Sequence, residues 1–198
     1  MTEQEWVECK DPQSMLVFLR GRASDRKLRL FAVACFQQAW SEIGDRRLPS
    51  CIDLAERFAN GAATAQDLDE VCGRFGAGCH EKIVGDWEMA MTMLLTPFDD
   101  PIEVPLEVCE LAKAHLGNAG ATLLRHLLGN PFRPYPAPAS WPSTVVQLAE
   151  SLYTGQDCCF ALHDALLEAG HAELAEHFRQ EKWHPKGCWA LDVILGKK

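Results

Sequence analysis

Two histidines, a cysteine and two tryptophans stand within thirteen residues near the C-terminus, in HFRQEKWHPKGCW, which runs from His177 to Trp189. Imidazole nitrogen and thiolate sulfur are the donor types that a zinc ion takes. His177, His184 and Cys188 are separated by gaps of six and three residues, and Pro185-Lys186-Gly187 supplies a turn that could fold them together. A structural zinc site wants four ligands. The nearest candidates in sequence for the fourth are His163, His171 and Cys159, and no Cys-x-x-Cys knuckle accompanies them.

The same residues also admit a purely structural account. His177 falls in the last turn of a helix, where a cation is favoured by the exposed carbonyls. Pro185 ends an extended segment and Gly187 permits a tight entry into a following helix. Trp189 and Val193 would then face the interior, with Trp183 and Trp189 clamping the joint. This joint is the leading expectation, and a zinc-type site of His177, His184 and Cys188 is the alternative.

Other clusters are weaker. Cys158-Cys159 lies at a helix start, where amide dipoles favour a thiolate, yet adjacent helical side chains point about 100° apart. Core packing of one thiol and partial exposure of the other is expected. Cys79-His80 is adjacent too, the wrong arrangement for a nucleophile and base that converge on one substrate. RGRASDRKLR, from Arg20 to Arg29, holds five basic residues and one acid. On a helix Arg22, Arg26 and Arg29 would share a face and could bind an anion or nucleic acid; a solvated helix start is the leading reading.

Several catalytic signatures fail by spacing. There is no phosphate-binding G-x-x-x-x-G-K-[ST] loop and no G-x-S-x-G nucleophile elbow. His80-Glu81 begins like a helical zinc motif, but Val84 stands where the second histidine belongs. No two helices carry the Glu-x-x-His pairs of a di-metal bundle. A non-catalytic protein is therefore expected, and no catalytic residue is assigned.

The elements that must position these side chains read as helices. Thr2 and Glu5 form a capping box, and Asp11-Pro12 is an N-cap followed by a first-turn proline. Ser24 opens the central helix, in which Leu28, Phe31 and Cys35 recur at helical steps and Leu30, Val33 and Phe36 widen the stripe. Thr64 and Asp67 cap another helix. CHEKIVGDWEMAMTMLL carries Ile83, Trp87, Met91 and Leu94 on one stripe. LEVCELAKAHLGNAGATLLRHLLG is one helix interrupted near Gly117, or two. Asp157 is expected to cap a helix that ends at Gly170, after which Leu162 and Leu166 face Leu174 and Phe178 in a helical hairpin. GNPFRPYPAPASWP, with five prolines in fourteen residues, excludes helix or central strand. It reads as an extended strap whose rings Phe132, Tyr135 and Trp141 pack onto the helices.

The expected fold is all-α, an irregular bundle of roughly eight to ten helices. An N-terminal bundle spans 1–128, the strap 129–142, and C-terminal helices 143–198 pack on the same core. A chain of 198 residues with 47% hydrophobic and 24% charged residues can bury roughly 70% of its extended surface, with no need of disulfide staples. A formal charge of -9 disfavours phosphate backbones and anionic membranes. Nine cysteines without a pairing pattern, together with an acidic N-terminus that lacks an apolar core, point to a reducing, cytoplasmic setting.

MTEQEW, DPQSMLVFLRGRASDRKLRLFAVACFQQAW, LLRHLLGNPFRPY and HPKGCWALDVILGKK together resemble a large paralogous family of bacterial proteins from planctomycete-type genomes. The resemblance covers about half the chain, and positions 61 to 115 depart most. It implies no activity, cofactor or catalytic residue. A family of many copies suits an adaptor or regulatory module, so the functional expectation is a helical interaction module with a protein partner. Metal binding and anion binding are the alternatives.

Overall fold

Local hydrogen-bonding rules set the first helices. In the computed structural model, which describes residues 1–43, 48–78, 94, 102–116 and 119–197, Thr2 caps α1 (Glu3–Glu8). The Glu5 amide donates to Thr2 Oγ1, and the Thr2 amide donates to the Glu5 carboxylate. Asp11 accepts from the Gln13 and Ser14 amides at the start of α2 (Pro12–Leu19). After it come α3 (Asp25–Ile43), α4 (Leu48–Ala59), α5 (Ala65–Gly78), α6 (Glu103–Leu116), α7 (Ala119–Leu128), α8 (Ser143–Tyr153), α9 (Cys159–Glu168), α10 (Ala172–Gln180) and α11 (Trp189–Leu195). Thr64 and Asp67 exchange reciprocal bonds at the start of α5.

The protein is all-α: eleven helices and no strand occur among the described residues. Among those residues the number stands just above the expected eight to ten, with α6 ending at Leu116 and α7 beginning at Ala119. The stripe expected over residues 79–95 lies outside the described residues except for Leu94, which is buried. Among the described residues no helix is long and apolar enough to cross a membrane.

Two compact units divide the chain, Met1–Arg125 and His126–Lys198. In the first, α3 packs on both α4 and α6. Burial of Leu28, Leu30, Phe31, Val33, Cys35 and Phe36 covers more than one face of α3, as the widened stripe predicts. Arg125 Nη1 donates to the Trp6 and Cys9 carbonyls at 3.0 and 2.9 Å, which satisfies acceptors left over at the end of α1.

In the second unit α8 packs on α9 and α11, while α9 and α10 form the expected hairpin around Gly170. Leu162, Leu166, Leu174 and Phe178 are all buried in its core. Tyr135 and Trp141 of the strap pack against that core, and Tyr135 Oη lies 2.9 Å from His171 Nδ1. Phe132 departs from the expectation: it is exposed.

Two further expectations are corrected here. Asp157 is not the N-cap of α9. Cys158 holds that position, anchored by a bond from its Sγ to the Leu148 carbonyl, so the helix begins one residue later. At the C-terminus, the buried residues of α11 are Ala190, Leu191, Asp192 and Ile194; Trp189 is half-buried but packs against the same core as expected, while Val193 is half-buried and Trp183 is 40% exposed. Trp189 lies over Gly129, where an added Cβ would meet its ring at 3.1 Å.

Candidate metal centre

Three short segments of the second unit bring four ligand-type side chains together. Helix α7 contributes His126, one turn before the chain leaves the helix through Gly129 at φ +69°. Helix α10 buries Leu174, Ala175 and Phe178, and His177, three positions beyond Leu174, falls on the same side. Glu181 then ends α10 in extended conformation. Beyond it, His184 precedes a turn closed by the Cys188 amide donating to the Pro185 carbonyl at 3.0 Å, with Gly187 at φ +90°. That turn carries Cys188 back into the core, where it is fully buried.

One donor atom from each of His126, His177, His184 and Cys188 lies within 4.8 Å of every other. His177 Nε2 is 3.1 Å and His184 Nδ1 is 3.7 Å from Cys188 Sγ. The three imidazole centroids are 4.9, 5.2 and 5.5 Å apart. A tetrahedral zinc with usual bond lengths would hold its nitrogens about 3.3 Å apart and nitrogen from sulfur about 3.6 Å apart. The cluster is close to that size before any adjustment.

The outer edges of two rings are already engaged. His184 Nε2 donates to the Glu181 carbonyl at 3.2 Å. His126 Nδ1 faces the Glu181 carboxylate across 3.6 Å, a distance of ion-pair range. A neutral imidazole has one N–H and one lone pair, so the bond from His184 Nε2 turns the lone pair of His184 Nδ1 to the cluster, and His126 Nε2 is buried. Burial, reinforced by the His126 and His184 rings, pushes the His177 pKa down to about 2. Burial likewise lowers His184 to about 4, against the opposing bond to the Glu181 carbonyl. His177 and His184 are therefore neutral at pH 7, the protonation state in which histidine binds metal. The cation expected for His177 at its helix end is not formed, because desolvation outweighs the helix dipole there.

The sequence-derived triad His177, His184 and Cys188 is thus brought together, and its fourth member is His126 rather than His163, His171 or Cys159. His163 pairs with Asp164 at 2.8 Å, and His171 meets Tyr135 and the Trp141 ring. Sequence spacing misses His126 because it lies on a different helix far upstream. Its one cue is a histidine among Leu123, Leu124 and Leu127, which are all buried.

Other candidates are placed elsewhere. Cys158 and Cys159 are both half-buried. Burial first, and the Asp157 charge second, raise both thiols above their ordinary value, so neither is poised as a thiolate. Cys79-His80 lies outside the described residues. Arg22 stacks over Phe18 at 4.8 Å. Arg26 Nε donates to Asn60 at 3.0 Å, and Arg29 donates to the Leu94 carbonyl while stacking over Phe58. The three guanidinium groups are directed at different partners within the fold. Comparison with protein-family models, with curated proteins and with solved structures gives no match to this chain.

Proposed function

We propose that this chain is a metal-binding helical protein whose C-terminal unit holds a zinc-type ion on His126, His177, His184 and Cys188. The observation that carries the reading is the convergence of four donor atoms within 4.8 Å of one another. Burial supports it, because it holds His177 and His184 in the neutral form in which histidine binds metal. One thiolate among imidazoles favours zinc or a similar borderline ion over magnesium or calcium, which prefer oxygen.

Four protein donors leave no open coordination position, the arrangement of a structural site rather than a hydrolytic one. The proposal is therefore a fastened, non-catalytic helical module, in keeping with a role in binding a protein partner. In this reading the metal and the interhelical joint are one feature: the ion would tie α7, α10 and the start of α11.

Elemental analysis of protein purified without an affinity tag tests the reading. One zinc per chain is expected, falling severalfold in Cys188→Ser and in His126→Ala. Protein that carries no metal, and takes up neither zinc nor cobalt when these are added, would overturn it.

A further inference from the structure

Glu181 touches all three histidines of the cluster through three different groups. Its amide donates to the His177 carbonyl at 3.1 Å, which closes the last turn of α10. Its carbonyl accepts from His184 Nε2 at 3.2 Å. Its carboxylate faces His126 Nδ1 at 3.6 Å, with the Glu181 side chain 43% exposed and that of His126 6% exposed.

We infer that Glu181 is the positioning residue of the metal site, setting which nitrogen of His126 and of His184 faces the ion. This rests on the metal-binding reading above. A ligating histidine ordinarily gives its other N–H to a carboxylate or a backbone carbonyl, which fixes the tautomer and makes the ligating nitrogen more basic. Here one residue supplies both kinds of partner. The carbonyl assigns the proton of His184 to Nε2 and leaves Nδ1 as donor; the carboxylate assigns that of His126 to Nδ1 and leaves Nε2. The carboxylate also settles the charge of the site. A divalent ion with one thiolate and three neutral imidazoles carries a net charge of about +1, costly where Cys188 is fully buried, and an adjacent carboxylate cancels it.

Only the side-chain arm can be removed by substitution, so the test isolates the His126 contact. Zinc affinity of the full chain is measured by competition with a chromophoric chelator for the unmodified protein, Glu181→Ala, Glu181→Gln and the exposed-acid control Glu168→Ala. Glu181→Ala is expected to bind zinc about 10- to 100-fold more weakly. Glu181→Gln, which keeps an acceptor oxygen for His126 Nδ1, should lose less, and Glu168→Ala should lose nothing. The melting temperature of metal-free protein should not differ among them. The cobalt-loaded variants should keep the sulfur-to-metal absorption band, because the donor set is unchanged. Zinc affinity of Glu181→Ala equal to that of the unmodified chain, or a matching fall in its metal-free melting temperature, overturns the positioning role and leaves the metal reading standing. An unmodified chain that takes up neither zinc nor cobalt overturns both.

Discussion

His177 illustrates how one side chain can be held in a single protonation state by its surroundings. Its pKa of about 2 and that of His184, about 4, both lie below the ordinary histidine value near 6.5. A group whose folded value is depressed favours folding while it is neutral, so its contribution is present above about pH 6.5. It is lost as the pH falls from there toward the folded values, because the unfolded chain takes up protons first. Metal-free protein, kept in chelator, should therefore melt at progressively lower temperature from pH 7 down to pH 4, a trend read by circular dichroism. His177→Ala should flatten that slope. The tryptophans divide in a similar way. Trp189 covers Gly129 and stands 5.3 Å from the His177 ring, so Trp189→Ala should cost about 3 kcal/mol in denaturant unfolding. Trp183, 40% exposed, should cost less than Trp189 when changed to alanine.

The helices themselves show which physical rules act locally. Thr2 with Glu5, Asp11 with Pro12 and Thr64 with Asp67 were legible from sequence because a cap needs only its own next three amides. The central helix and the Leu162–Phe178 hairpin were legible because their apolar spacing is helical. The Asp157 cap was not, since Cys158 is tied to Leu148 of a neighbouring helix, a contact that no local pattern announces. The candidate cluster divides along the same line. His177, His184 and Cys188 are close in sequence and a turn joins them, whereas His126 lies far upstream, near the end of another helix. Gly129 marks where that helix must stop. Its positive φ and the Trp189 ring 3.1 Å from an added Cβ act together, so Gly129→Ala should destabilise by about 2 kcal/mol, by strain and by displaced packing. Chemical denaturation detects it, and an unchanged midpoint would remove Trp189 from its assigned place.

Over the whole chain, the proposed ion binding would be linked to folding of the unit that supplies the donors, because a ligand that favours the folded form stabilises it in proportion to the logarithm of its concentration over Kd. All four donors belong to His126–Lys198. Amide hydrogen exchange on the full chain, with and without chelator, should therefore show slower exchange with zinc in α10, in residues 181–188 and in α11. The Thr2 and Thr64 caps of the first unit should exchange alike in both samples. Equal protection of the second unit in both samples would detach metal binding from its stability. The -9 formal charge and the inward commitments of Arg26 and Arg29 also bear on the nucleic-acid reading, which requires affinity that drops steeply with salt.

The complete enclosure of Cys188 has a kinetic corollary. In the proposed site, an ion bound to that sulfur would be released when residues 181–188 lift away from the core. Removal by an external scavenger would then reach a ceiling rate as scavenger is increased, set by how often that segment lifts.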